Sequence, residues 1–219
     1  MASNYSNDIK LSLLDGNNLK TTYGAYVLET SGFLDIPNRK EGLKFSWPDE
    51  HGIDVDLDTV VFEAKDVGMI FLLKTITDLA SLKQQVDLFT LELTKPGLRQ
   101  IKIAGVPGLF LAYYKSGTVT RPKRGLSGTL YAKMDIKLTM PYPLIRQFYS
   151  DNSAVLKTVA VTVTTTKPII IDWGDGIKTN VAGSGTYNHT YTVLAHYCIV
   201  IYEGVQGITA LTVTNSTEI

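Results

Sequence analysis

TDLASLKQQVDLFTLELTKPG, residues 77–97, is the stretch whose reading decides the fold. Leu79, Leu82, Val86, Phe89 and Leu93 step by 3, 4, 3 and 4 residues, which puts all five on one stripe of a 3.6-residue helix. Asp78 is the expected N-cap, and Pro96-Gly97 ends the pattern with residues that stop helices. Almost everything around this stretch alternates with period two. One amphipathic helix in a field of strands buries its stripe against a sheet or plugs the mouth of a barrel. The expected fold is therefore mainly β: first an antiparallel sheet or barrel with one packed helix over residues 77–95, then further strands.

Several segments carry that strand signal. IKLSLLDG (9–16) reads as a strand closing in a turn at residues 15–18, and TTYGAYVLETSGF (21–33) as a second strand. TVVFEAKDVGMIFLLKTI (59–76) reads as two strands bent at Asp66-Val67-Gly68. LRQIKIAG (98–105) and LFLAYYKSGTVT (109–120) form a hairpin across Val106-Pro107-Gly108. In 130–143, Leu130, Ala132, Met134, Ile136 and Leu138 alternate with Tyr131, Lys133, Asp135 and Lys137, the pattern of a half-buried antiparallel strand. Residues 144–154 show no period and read as a linker. Beyond them charges thin out, Thr, Val and Ile dominate, and six short strands recur at sandwich spacing. The domains expected are 1–150 and 151–219.

The 219 residues carry 21 Lys+Arg and 21 Asp+Glu, so the overall charge advertises neither nucleic acid, nor an acidic membrane, nor a polyanionic substrate. The single cysteine, Cys198, lies in the apolar run CIVIY and reads as a buried small hydrophobe. The N-terminal stretch has no basic segment followed by an apolar one, so no signal peptide is read there. The longest apolar runs, such as VGMIFLL (67–73), fall far short of the roughly 20 residues of a membrane helix.

No catalytic constellation survives inspection. Asp172 and Asp175, in Ile-Asp-Trp-Gly-Asp-Gly (171–176), are too few oxygens for a calcium loop, and Asp-Gly after an apolar strand reads as a tight turn. The three histidines lie in no zinc spacing. Ser184, His189 and Asp172 supply the residue types of a triad, but no nucleophile elbow surrounds Ser184. No cofactor or metal is expected. Asp49, Glu50, Asp54, Asp56 and Asp58 crowd the irregular piece 34–58; the last three share one face of an extended chain, which reads as solvated. Arg121-Pro-Lys123-Arg124 is the one basic cluster. It reads as a solvated hairpin tip, or as a positive loop facing phosphate once several copies are brought together.

Trp173-Gly174-Asp175-Gly176 with His189-Thr-Tyr191 resembles the PKD-like immunoglobulin sandwiches, in which a WGDG hairpin and a later H-T-Y segment pack together. That resemblance implies a fold and is nearly silent on function. DGNNLKTTYGAYVLETSGF, the block Trp47-Pro48-Asp49-Glu50-His-Gly with DVDL, Phe62-Glu-Ala-Lys-Asp66, the helix and LAYYKS together resemble tail-component proteins of phages and prophages of Bacteroides-type bacteria. In layout, residues 8–145 are similar to the N-terminal domain of siphophage distal tail proteins.

The resemblance implies a structural, non-enzymatic virion tail protein that closes into hexameric rings with other tail proteins as neighbours. The 34–58 loop (Trp47, Pro48, Asp49, Glu50, Asp54, Asp56) would then supply subunit contacts. Arg121, Lys123 and Arg124 would face a lumen through which DNA passes as cargo. The alternative is a host-surface module binding a glycan or protein on Trp173, Tyr187 and Tyr191; exposed aromatic platforms would favour it and buried ones a spacer.

Overall fold

The computed structural model describes residues 12–40, 44–45, 54–55, 61–76, 78–106, 108–125 and 128–219. The chain is mainly β. In order it forms β1 (Leu13–Leu14), β2 (Asn17–Asn18), α1 (Leu19–Tyr23), β3 (Ala25–Ser31), β4 (Lys44–Phe45), β5 (Asp54–Val55) and β6 (Lys65–Thr75). Next come α2 (Leu79–Leu93), β7 (Arg99–Lys102), β8 (Phe110–Val119), β9 (Lys123–Arg124) and β10 (Leu130–Met140). The last group is β11 (Arg146–Asp151), β12 (Thr158–Thr165), β13 (Ile169–Asp172), β14 (Lys178–Val181), β15 (Gly185–Thr190), β16 (His196–Tyr202), β17 (Ile208–Val213) and β18 (Thr217–Glu218).

The helix forms as its sequence predicts. The Asp78 side chain accepts a hydrogen bond from the Ser81 amide at 2.7 Å, satisfying one of the free donors of the first turn. Leu82, Phe89 and Leu93 are buried and Val86 half-buried, and Phe89 meets Phe71 edge-on at 4.9 Å and Tyr23 at 5.5 Å. Leu79 departs from the expected stripe: it is 57% exposed.

Around α2 runs an antiparallel sheet in the order β2-β1-β7-β8-β10-β6-β3, with β9 on the far part of β10. Its two edge strands, β2 and β3, are consecutive in the chain and separated only by α1, whose five residues rise about 7.5 Å. The sheet therefore curls until its edges nearly meet, an incompletely closed barrel with α2 packed against β6 and β10.

Two expectations change here. Residues 19–23 form the short helix α1, capped by the Asn18 side chain, instead of the start of a strand. Residues 65–75 form one continuous strand paired with β10 from Lys65↔Met140 to Thr75↔Leu130, with no bend at 66–68. Gly68 is there for room: a Cβ on it would lie 2.6 Å from the Ser31 hydroxyl.

The remaining strands make a sandwich of a five-stranded sheet, β14-β13-β16-β11-β18, and a three-stranded sheet, β15-β12-β17. Val159, Val161 and Val163 of one sheet meet Ile169, Ile171, Ile199 and Ile201 of the other in a common core. The expected linker is structured: β11 is a sandwich strand paired to β16 along its whole length. Ser150 breaks its apolar alternation. This buried hydroxyl donates to the Asn215 carbonyl at 3.0 Å.

β16 is buried from Tyr197 to Tyr202 on both faces, which explains its unbroken apolar run. One face joins the sandwich core. The other, Cys198, Val200 and Tyr202, packs on Leu109 and Leu111 from the first sheet. Gln147 closes this contact by accepting from the Leu109 amide at 2.6 Å and donating to its carbonyl.

Candidate functional site

The acidic stretch is the first candidate. Trp47, Pro48, Asp49, Glu50 and Asp56 lie outside the described residues. Asp54 belongs to a two-stranded ribbon, opposite Phe45. The loop that holds them leaves and rejoins the sheet at one end: Ser31 pairs with Gly68, and Phe62, bridged to Arg39, lines a cavity with Pro141 and Tyr142 just beyond Met140.

Arg121, Lys123 and Arg124 are exposed, as expected of a hairpin tip, and the last two form β9. Strand alternation divides them. Lys123 stands opposite Tyr131 and so shares its outer face, whereas Arg124 stands opposite the buried Leu130. On the other side of Tyr131 the register places Lys74, and two residues along β10 is Lys133. Lys74 lies 4.5 Å from the centre of the Tyr26 ring and Lys20 5.7 Å from it. Lys20, Lys74 and Lys133 thus extend the basic cluster to four cations and two tyrosines on one face. They escape sequence reading because three separate elements supply them.

Beside this tip is an apolar groove of about 650 Å³, walled by Leu79, Leu82 and Val86 of α2 with Val119, Pro122 and Ala132. Leu79, on the first turn of α2, lines this groove and is exposed there.

In the sandwich the sequence-marked segments do pack together, and they do so inward. Trp173 and Tyr191 are each 1% exposed. The Tyr191 hydroxyl donates to the Trp173 carbonyl at 2.9 Å, and burial pushes its pKa upward. The Trp173 indole N–H donates to Thr179 at 2.9 Å. His189 stacks on Trp173 at 4.9 Å and holds Asp175 at 2.7 Å. Asp172 accepts from the Gly174 amide at 3.0 Å and lies 3.1 Å from the Lys178 ammonium, and Asp175 accepts from the Ile177 amide at 3.0 Å. These are turn-building contacts. Gly174, at φ 83°, lets the turn cross β16: a Cβ there would lie 2.6 Å from the Cys198 carbonyl oxygen.

The triad residue types are not brought into one relay. Ser184 accepts from the Thr165 amide, His189 pairs with Asp175, and Asp172 with Gly174 and Lys178. Among the described residues no three His, Cys, Asp or Glu side chains converge as a metal site would require, and no helix is long and apolar enough to cross a membrane.

No protein-family model matches the chain, and no curated protein matches it. Among solved structures it is similar to the Dit protein of SPP1, described as a paradigm of the hub adsorption apparatus in phages infecting Gram-positive bacteria. The identity is 12% and the TM-score 0.48, over 88% of this chain and 98% of that one. It is also similar to the baseplate of phage P2 in its activated conformation with Ca, at 6% identity and a TM-score of 0.42, over 92% of each chain. Identities and TM-scores this low assign the chain no role.

Proposed function

We propose that this chain is a structural subunit of a phage or prophage tail, which assembles as a hexameric ring at the distal tail and links the tube to tip or receptor-binding parts. The reading rests on the resemblance of residues 8–145 to distal tail proteins. The observation that supports it best is that the first unit keeps two assembly surfaces uncovered. β3 ends the sheet with an edge that no described strand pairs, and the groove beside α2 exposes apolar side chains.

In this reading the domains divide just before β11, within 141–145, and the second is a PKD-like spacer. Burial of Trp173 and Tyr191 removes two of the three rings on which a glycan would stack and leaves Tyr187, which is half-buried with its hydroxyl donating to the Gly183 carbonyl at 3.0 Å, so a spacer is the favoured role. Of the loop expected at a lumen, Arg121, Lys123 and Arg124, it is Lys123 that shares an outer face with Lys74 and Lys133, and in this reading six copies of that face set a ring of positive charge around passing DNA. The test is electron microscopy of the purified chain: six-fold rings are expected, and particles of single-chain size at high concentration contradict the reading.

A further inference from the structure

We propose that the groove beside α2 receives Leu34 and Ile36 of a neighbouring copy of this chain, a contact that rests on the self-assembly reading above. Among the described residues these two aliphatic side chains stand out by their exposure, at 76% and 89%. The chain holds them out from both sides. On one side the buried Phe33 ring meets Phe110 edge-on at 4.8 Å, and the Asp35 amide turns back to the Gly32 carbonyl at 3.3 Å. The Lys65 ammonium donates to the Phe33 carbonyl at 3.2 Å and also to the Asp35 carbonyl. On the other side the Lys40 amide donates to the Val61 carbonyl at 2.7 Å, and the Glu63 amide to the Asn38 carbonyl at 2.9 Å. A projection fixed in advance loses little freedom on docking, and bare aliphatic side chains on it mark a contact surface.

A chain's own groove is out of reach of its own projection. Gly32 sits beside Asp66: a Cβ on it would lie 3.0 Å from the Asp66 carbonyl oxygen. Ala132 lines the groove and stands opposite Leu73, seven residues along β6 from Asp66, or about 24 Å. Ile36 is four residues from Gly32 and covers at most about 14 Å of that even when fully extended. Groove and projection thus occupy opposite ends of one sheet. They match in kind: the groove has apolar walls, with Leu79 57% and Val119 48% exposed. Asp35, exposed between Leu34 and Ile36, brings a carboxylate to a rim that carries Arg121 beside Pro122; Arg121 has no ion-pair partner among the described residues. One patch meeting a different patch at the other end of the next copy is a heterologous contact, the kind that closes rings.

Cysteine cross-linking in the full chain tests this. Ile36→Cys and Leu79→Cys variants are made separately, mixed and oxidised, with Leu91→Cys in place of Leu79→Cys as the control. Ile36 and Leu79 are both exposed, so neither substitution disturbs a core, and Leu91 is 64% exposed on the same helix, about 18 Å further along. The buried Cys198 stays in place. The expected result is a mixed disulfide between the Ile36→Cys and Leu79→Cys chains that forms at least tenfold faster than with Leu91→Cys. Equal rates, or no mixed disulfide, overturn the proposal. The solution mass of the same mixtures separates the two claims: an oligomer without the selective cross-link leaves the groove to another occupant and removes this contact alone, and a monomer without it removes self-assembly as well.

Discussion

At residue scale the turn around Trp173 is held by few, replaceable groups. Tyr191→Phe deletes the only hydroxyl that satisfies the Trp173 carbonyl among the described contacts, inside a dry core, and is expected to cost about 1–3 kcal/mol in denaturant unfolding. Gly174→Ala is expected to cost more. A left-handed backbone with a side chain alone costs about 1–3 kcal/mol, and here the methyl group also meets the backbone of β16. A variant as stable as the parent would mean the turn does not cross β16 so closely. Cys198 gives a third reading. Burial, first, and the nearby Asp172 push its thiol upward, so a thiol reagent at neutral pH is expected to label it only as fast as the protein unfolds. Rapid labelling of the folded protein would contradict the packing of the two units.

At the scale of elements, sequence reading succeeded where one face is buried and one is wet. The β10 strand and the stripe of α2 from Leu82 to Leu93 follow directly from alternation and helical spacing. It failed where burial is two-sided or polar. In β11, Phe148 enters the sandwich core, Tyr149 packs toward the other unit and Ser150 is buried by hydrogen bonds, so no period survives. Gly68 looked like a bend because nothing local reveals that Ser31 will press against it. The basic tip was legible as exposed charge, but its partners Lys20, Lys74 and Lys133 needed the register to appear.

The cap of α2 carries a pH prediction at this scale. The Ser81 amide holds the Asp78 carboxylate below the usual aspartate range. A depressed folded pKa means the contribution is complete above the ordinary value of about 3.9 and is lost as the pH falls through the folded value. Asp78→Ala is therefore expected to lower the thermal midpoint at pH 7 and to change it little near pH 2, while Asp78→Ser keeps most of the cap. An equal loss at both pH values would show that the charge-assisted bond is not the cause.

For the whole molecule, the apolar contact of Leu109 and Leu111 with Cys198, Val200 and Tyr202 ties the sandwich to the curled sheet, with Gln147 bonded across the seam. The two units are expected to unfold in one transition by calorimetry. Leu111→Asn, which places a polar group in that dry contact, is expected to split the transition in two. A single shifted transition would show that the units do not fold separately.

The central claim is self-assembly, and the solution mass of the intact chain by light scattering over a range of concentrations tests it most directly. The account predicts a species near six times the 24.1 kDa chain mass, stable to dilution. A mass that stays at 24.1 kDa up to high concentration would contradict it.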